Sequence, residues 1–379
     1  MKVAAVLALL AGLAAGACAP ACVAQDARSA SAANAGPAMR VAIAGLVHGH
    51  VFGFFQQYLH SPLIQIVGIE EPDRAFALRV AKQYGLDASL LYTNVDEMLE
   101  KTRPQAVLTY TDTYDHRMVV EACARHHVDV MMEKPLAASY ADARAIERAA
   151  YAGHIEVMVN YETTWYRSNA EAYRLLRSGA IGPMRKFVAR DGHSGPKEIG
   201  VGPEFLAWLV DPKLDGAGAM FDFGCYGADL VEWMMGNEQP STVTAVTQQI
   251  KPEIYPRVDD EATIVVTYPK AQAIIEASWN WPFDVKDIQV YGKTGYVKTV
   301  QRDRVMVRRP GEREAKEETA TAIPSPDDDE LAYLRAVVLE GKKPEGPTSL
   351  ETNLIVMEIL DAARESAKTG RTIRIGTID

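Results

Sequence analysis

Cysteine is scarce, with four residues in a chain of 379. Cys18 and Cys22 fall near the start, leaving Cys123 and Cys225 in the body of the chain. So few thiols rule out a disulfide framework. Cys123 and Cys225 each lie in an apolar helical pattern and are expected to be buried and free. No Cys/His spacing of the metal-binding kind occurs. His48-Gly49-His50 is a pair on a loop without further ligands, so no metal is expected. Positive charge is not in excess either: the formal net charge is −10. That argues against nucleic acid or an anionic membrane surface as a partner. Internal repeats are missing, and so is an apolar run of the ~20 residues that a spanning helix needs. No integral membrane span is expected.

What is present is ordinary for a soluble globular protein, 48% hydrophobic and 24% charged, and the length suggests two domains. Lys2 precedes the apolar run Val3 to Ala17, and small residues follow to Ala24. A charged start, an apolar middle and a small-residue cleavage zone predict a signal peptide over residues 1–24. The chain is therefore expected to be exported, periplasmic or secreted. A lipoprotein would be anchored at Cys18, but Ala15 stands where such signals carry a larger aliphatic residue. Met1-Lys2-Val3 contains no twin-arginine signal. Residues 25–38, rich in Ala, Ser, Asn and Gly, read as a linker.

From residue 39 to 158 strand and helix patterns alternate. Val41–Ala44, Gln65–Ile69, Ala106–Thr109, Val128–Met132 and Ile155–Val159 are apolar strands, with amphipathic helices between them. This alternation predicts βαβ units and a parallel sheet. Capping signals support the helices: Gly85 closes one, Asn94 with Glu97 opens another, and Ser139 opens a third. After Asn160 the pattern changes. Helices predominate up to Met235, then strands follow one another from Thr242 to Arg308 with tight turns such as Lys293-Thr294-Gly295, which predicts an antiparallel sheet. Asp327 to Glu330 should start a helix, where carboxylates suit the positive end of its dipole. Glu351–Ala367 is a last helix, expected to pack back on the first domain. The second domain then covers 159–379.

Three stretches carry chemistry. Glu133-Lys134-Pro135 ends an apolar strand, so a carboxylate and an ammonium arrive at the strand's carboxyl end, where open α/β sheets bind ligands. Gly45-Leu46-Val47-His48-Gly49-His50 follows a strand and opens a helix, the setting of a dinucleotide fingerprint. Only the first glycine of G-x-G-x-x-G is in place: Val47 and His50 replace the other two, and Gly49 comes one position early. Glu70 and Glu71 end the second strand, where a carboxylate accepts from ribose hydroxyls and repels a 2′-phosphate, so NAD is favoured over NADP. Either glutamate fits. Asp222 and Tyr226 lie four apart in a glycine-rich helical stretch, so their side chains are expected on one face. A phenol beside the Lys134 ammonium would have its pKa lowered and could exchange a proton with a substrate hydroxyl. The opposing reading of Tyr226 is a buried phenol bonded to Asp222.

These stretches, with Val258-Asp259-Asp260-Glu261-Ala262, Ala277-Ser278-Trp279 and the end Glu365–Arg371, resemble the Gfo/Idh/MocA oxidoreductases, the family of glucose–fructose oxidoreductase and inositol 2-dehydrogenase. The resemblance runs from Arg40 almost to the C-terminus. It implies an α/β fold, with an N-terminal Rossmann domain on a parallel sheet and a C-terminal α/β domain with an open, mainly antiparallel sheet. It also implies that Lys134 contacts cofactor and substrate and that Asp222 binds or orients the substrate. Tyr226 stands where most members have a catalytic histidine, as in the branch that uses tyrosine there. The loop Thr111–His116 is expected beside the nicotinamide, with Asp112 and Thr113 replacing the usual Pro and Asn. From position alone, Asn160, Trp165, His193 and Trp279 are substrate contacts, the two tryptophans as stacking platforms for a sugar ring. Homo-oligomers through the open sheet are implied as well. The expected activity is an NAD-dependent oxidation of a sugar or polyol hydroxyl. The alternatives are an NAD-dependent glycosidase that oxidises, eliminates and re-reduces without net redox change, and a non-catalytic sugar-binding relative.

Overall fold

The computed structural model describes residues 37–376; the expected signal peptide, and the linker up to residue 36, lie outside them. The first sheet is built from β1 (Met39–Ala44), β2 (Ile64–Glu70), β3 (Leu91–Tyr92), β4 (Ala106–Thr109), β5 (Asp129–Glu133) and β6 (Val157–Asn160). All are parallel, in the order β3-β2-β1-β4-β5-β6. Strand order reverses between β1 and β4, and in doubly wound sheets the ligand crevice opens at that point. The helices between the strands are α1 (His50–Tyr58), α2 (Arg74–Tyr84), α3 (Val95–Thr102), α4 (His116–His126) and α5 (Tyr140–Gly153). Their ends follow local chemistry. Asp73, Asn94 and Ser139 accept main-chain N–H bonds at the starts of α2, α3 and α5, and Gly85 ends α2 at φ +68°. The short edge strand β3 escapes a sequence reading because two residues show no period.

Alternation along β1 divides the core. Val41 and Ile43 face α1, whose Val51, Phe54, Phe55 and Tyr58 recur at i, i+3, i+4 and i+7, while Ala42 and Ala44 face the opposite layer. Each such large apolar side chain contributes about 1.5–3 kcal/mol on burial.

The second sheet contains β7 (Met184–Gly192), β8 (Thr242–Gln248), β9 (Glu261–Thr267), β10 (Gln272–Ser278), β11 (Val285–Gly292), β12 (Tyr296–Gln301), β13 (Arg304–Arg308), β14 (Lys316–Thr319) and β15 (Ile373–Arg374). Its order is β14-β13-β12-β11-β7-β10-β9-β8-β15, antiparallel except where β7 meets β10. Ahead of it comes α6 (Arg167–Arg177), and between β7 and β8 come α7 (Pro203–Leu209), α8 (Ala219–Asp222) and α9 (Gly224–Met235). The chain then returns to the first sheet. In α10 (Glu330–Glu340), Asp329 caps the start and Leu331, Leu334 and Val337 join the core under α1. In α11 (Leu350–Thr369), Asp361 accepts from the Tyr140 N–H at 2.7 Å, bonding that helix to the start of α5. Helix α10 itself is expected from its acidic start, but its return to the first sheet is not, because its apolar residues do not show which sheet they cover.

Candidate active site

The turn after β1 is shaped by Gly45. Its φ is +79°, and a Cβ there would stand 2.6 Å from the Thr111 main chain, so only glycine fits. Leu46 N–H donates to Glu71 Oε2 at 3.0 Å, and Asp73 N–H donates to Glu71 Oε1 at 3.0 Å. Glu70 and Glu71 are both buried. Burial, and then the neighbouring Glu71, push the Glu70 carboxyl up to about 7; burial also raises Glu71. Neither glutamate is among the residues lining the cleft, where Leu46, Phe52, Phe76 and Glu204 form that end. Sequence position brings two acids to the strand end, but the turn's own N–H groups take up Glu71.

His48 is buried beneath α7, its ring 4.7 Å from Phe205 and 5.4 Å from Trp208, and burial keeps it neutral. Trp208 Nε1 donates to the Val47 carbonyl at 3.3 Å, so α7 fastens the second half of the chain over the turn. Gly49 lies against Phe205, where a Cβ would come within 2.8 Å. His50 is half-exposed and bonds Glu133 at 3.0 Å. His48, His50 and Glu133 present donor atoms within 4.8 Å of one another, a grouping the His48–His50 spacing alone does not disclose. Thr111 packs on Gly45. His116 is fully buried and held neutral, its pKa pressed down to about 4 by burial; Nδ1 donates to the Pro135 carbonyl at 3.1 Å. Both residues shape the walls behind the cleft.

The cleft, about 690 Å³, runs from the turn to Lys134, His193, Asp222 and Tyr226. Lys134 Nζ donates to Asp222 Oδ1 at 2.5 Å and to the Asp222 carbonyl at 2.9 Å. Burial opposes charge on both partners, but each overcomes it for the other: Lys134 is raised and Asp222 lowered. Asp222 ends α8 and Tyr226 lies in the first turn of α9, with a break at Phe223, so the two are not on one continuous helix as expected. Both still reach the cleft. Trp279 is completely buried and donates from Nε1 to Asp222 Oδ2 at 2.9 Å. It orients the carboxylate and is no stacking platform, which corrects the expectation. Trp165 and Asn160 bond each other at 2.9 Å and line an adjoining cavity of about 650 Å³, which shares His50, Glu162, Tyr166 and Arg302 with the cleft. His193 Nδ1 accepts from Gly195 N–H at 2.9 Å, leaving the ring proton of the neutral form on Nε2.

Tyr226 departs most from expectation. Lys134 Nζ is 5.0 Å from its ring centroid, over the face, and bonds Asp222. The ammonium next to the phenolic oxygen is that of Lys286, at 3.4 Å, held by Glu162 at 2.5 Å. The opposing reading, a phenol bonded to Asp222, fails as well, since the Asp222 oxygens are taken by Lys134 and Trp279. Burial raises the phenol well above its ordinary value in spite of Lys286, not below it as expected. Sequence reading missed Lys286 although it shares the face of Ile288 and Val290, because a lone lysine at a strand end names no partner; the register that sets it opposite Asp191 is not visible locally. Cys123 and Cys225 are buried and free, as expected.

A parallel α/β unit with strand order 3-2-1-4-5-6, a glycine turn at its switch point and a second unit closing over it define a two-domain dinucleotide-binding protein. Residues 39–161 match the model of the oxidoreductase family with an NAD-binding Rossmann fold, and residues 169–298 match the GFO/IDH/MocA C-terminal domain. The chain belongs to the Gfo/Idh/MocA oxidoreductase family. It is 27% identical to a D-apiose dehydrogenase of Rhizobium rhizogenes over 71% of this chain and 78% of that protein. It is 21% identical to a scyllo-inositol 2-dehydrogenase (NADP(+)) of Bacillus subtilis over 86% and 94%. The fold is similar to that of aldose-aldose oxidoreductase from Caulobacter crescentus complexed with glycerol, with a TM-score of 0.76 and 22% identity over 89% of this chain and 100% of that one.

The residues present fit a dinucleotide. Gly45 keeps the turn free of a side chain, and the first turn of α1 holds no acidic residue to repel a phosphate, while the His50 N–H meets the His48 ring at 3.4 Å. The turn and α1 would hold the pyrophosphate, and Lys134 stands at the other end of the same cleft.

Proposed function

We propose that this protein is a nicotinamide-dependent oxidoreductase that oxidises a hydroxyl of a sugar or polyol, and that it works after export. The carrying observation is that Lys134, Asp222, His193 and Tyr226 line one cleft with the glycine turn. The relatives' names, apiose and inositol dehydrogenases, support the substrate class. NAD is proposed over NADP because the Glu204 carboxylate lines the cleft at the end formed with Leu46 and Phe76, although the Bacillus relative is NADP-linked.

When bound, the nicotinamide would supply the hydride acceptor. Lys134 and Asp222 form a fixed ion pair that presents an ammonium to a substrate oxygen, with Trp279 fixing the carboxylate. Tyr226 takes the hydroxyl proton as the phenolate, which the Lys286 ammonium at 3.4 Å favours against the burial that otherwise keeps the phenol protonated. His193, with its proton on Nε2, offers one further donor.

The test is to incubate the purified chain with NAD or NADP and a panel of aldoses, polyols and aryl glycosides. Net formation of reduced cofactor with a free sugar or polyol supports the proposal, and Lys134→Ala and Tyr226→Phe should each lower turnover on the order of 10²–10⁴-fold. Release of an aryl group without net reduced cofactor would establish the redox-neutral glycosidase, and absence of any dinucleotide binding a non-catalytic relative. Export is supported by Lys2 and the apolar run to Ala17, and is tested by fractionating the source cells.

A further inference from the structure

We infer that Lys286 is a positioning lysine for Tyr226: its ammonium, held by Glu162, sets the ionisation of the phenol that takes the hydroxyl proton. This rests on the oxidation proposed above.

The division of labour follows from distances. Lys134 already gives two hydrogen bonds to Asp222 and stands over the Tyr226 ring, not at its oxygen. Lys286, from β11, stands 3.4 Å from the phenolic oxygen and 4.4 Å from the ring centroid, and it lines the cleft beside Tyr226. Its other bond goes to Glu162 in the segment after β6. Glu162 also binds Arg302 and the Tyr166 hydroxyl, and despite burial Lys286 with these partners holds its carboxyl down to about 2, so it stays charged and keeps Lys286 an ammonium beside the phenol.

The other groups facing Lys286 leave its charge to the phenol and Glu162. Asp191 lies opposite Lys286 on β7, fully buried, with neither carboxylate oxygen bonded. Burial keeps it protonated, so it leaves the Lys286 charge to Tyr226 and Glu162. Lys134 adds positive potential from the α8 side, and His193 and Cys225 are held neutral by burial. Asp287, next along β11, is taken by Arg190 at 2.8 Å.

The step balances. The substrate C–H bond breaks as hydride passes to the oxidised nicotinamide, and the O–H bond breaks as its proton passes to the Tyr226 oxygen. The C=O bond forms. Tyr226 takes that proton as the phenolate that the Lys286 ammonium stabilises, and the phenol gives it to water in the cleft before the next turnover, while Lys286 and Glu162 keep their charges.

In the full-length enzyme, Lys286→Met is expected to lower kcat on the order of 10²-fold, with KM changed less than about twofold, and to move the rise of kcat to higher pH. Lys286→Arg should restore part of both. Glu162→Gln should lower kcat and move the same rise, because Lys286 then loses the carboxylate that fixes it beside the phenol. A purely structural lysine would alter stability but not the pH profile. A Lys286→Met enzyme with wild-type kcat and an unmoved profile overturns the inference.

A second readout needs no substrate or cofactor. With a fluorinated tyrosine of lowered phenol pKa at position 226, fluorine NMR follows the phenol directly. Lys286→Met should raise its titration by about one pH unit or more, and Lys134→Met should raise it less. The opposite ranking overturns the inference even where oxidation itself is confirmed. The expected ranking in a chain that oxidises no sugar would confine the failure to the proposed reaction.

Discussion

The Lys134–Asp222 pair joins the end of β5 to α8, and its side chains are 6% and 9% exposed. Replacing Asp222 by Asn leaves the ammonium buried next to a neutral group and keeps the volume. Removing one partner of a buried pair costs about 3–5 kcal/mol, since the other charge loses its compensation. At ~2–4 °C per kcal/mol for a chain somewhat smaller than this, thermal unfolding should come on the order of 10 °C earlier. Lys134→Met alone should cost a similar amount. The double variant Lys134→Met/Asp222→Asn should be less destabilised than the sum, with a coupling on the order of 2 kcal/mol, because no uncompensated charge remains. The pH sign follows from Asp222: its carboxyl is lowered in the fold, so the stabilisation holds above the unfolded value and is lost as pH falls through the folded one. Scanning calorimetry of the four proteins at neutral and acidic pH measures all of this. If Asp222→Asn melts within about 1 °C of the parent, the ammonium is hydrated in solution and the buried-pair reasoning fails.

Three further outcomes are expected. Trp279→Phe removes a buried bond to a charged acceptor and should cost about 1.5–3 kcal/mol in thermal unfolding, while raising KM for the substrate because Asp222 loses its orientation. Gly45→Ala introduces a Cβ at φ +79° against the Thr111 main chain, so dinucleotide affinity measured by fluorescence titration should drop more than about tenfold, with a stability loss of ~1–3 kcal/mol. Burial, and then Glu133, raise the Glu330 carboxyl to about 7, so the fold holds that proton more tightly than the unfolded chain does. Its contribution is full below about 4.5 and falls as pH rises to about 7, by on the order of 3 kcal/mol, and Glu330→Gln should flatten the melting temperature across that window.

The first domain is legible in the sequence because its signals are local. Apolar strands, caps at Asp73, Asn94 and Ser139 and the glycine of the β1 turn each act within a few residues of where they are read. Lys134 is legible for the same reason, as it ends a strand at a carboxyl edge. Long-range placement is another matter. Trp279 reads as an aromatic in a strand, and nothing nearby in the chain tells that its indole N–H meets a carboxylate 57 residues away. Glu71 reads as a ribose ligand, and only the folded turn reveals that Leu46 and Asp73 take both of its oxygens.

Lys286 shows where the boundary lies. Its strand alternates buried and half-buried positions, and by period the lysine shares the inward face of Ile288 and Val290. Two things outside the strand decide what it meets there. The antiparallel register with β7 sets it across from Asp191, and the segment after β6 folds Glu162 down onto it. The end of that face becomes the wall of a cleft only where other segments close over it, and no residue of the strand records that event. The sequence can therefore name the phenol, but not the cation that the fold brings to its oxygen.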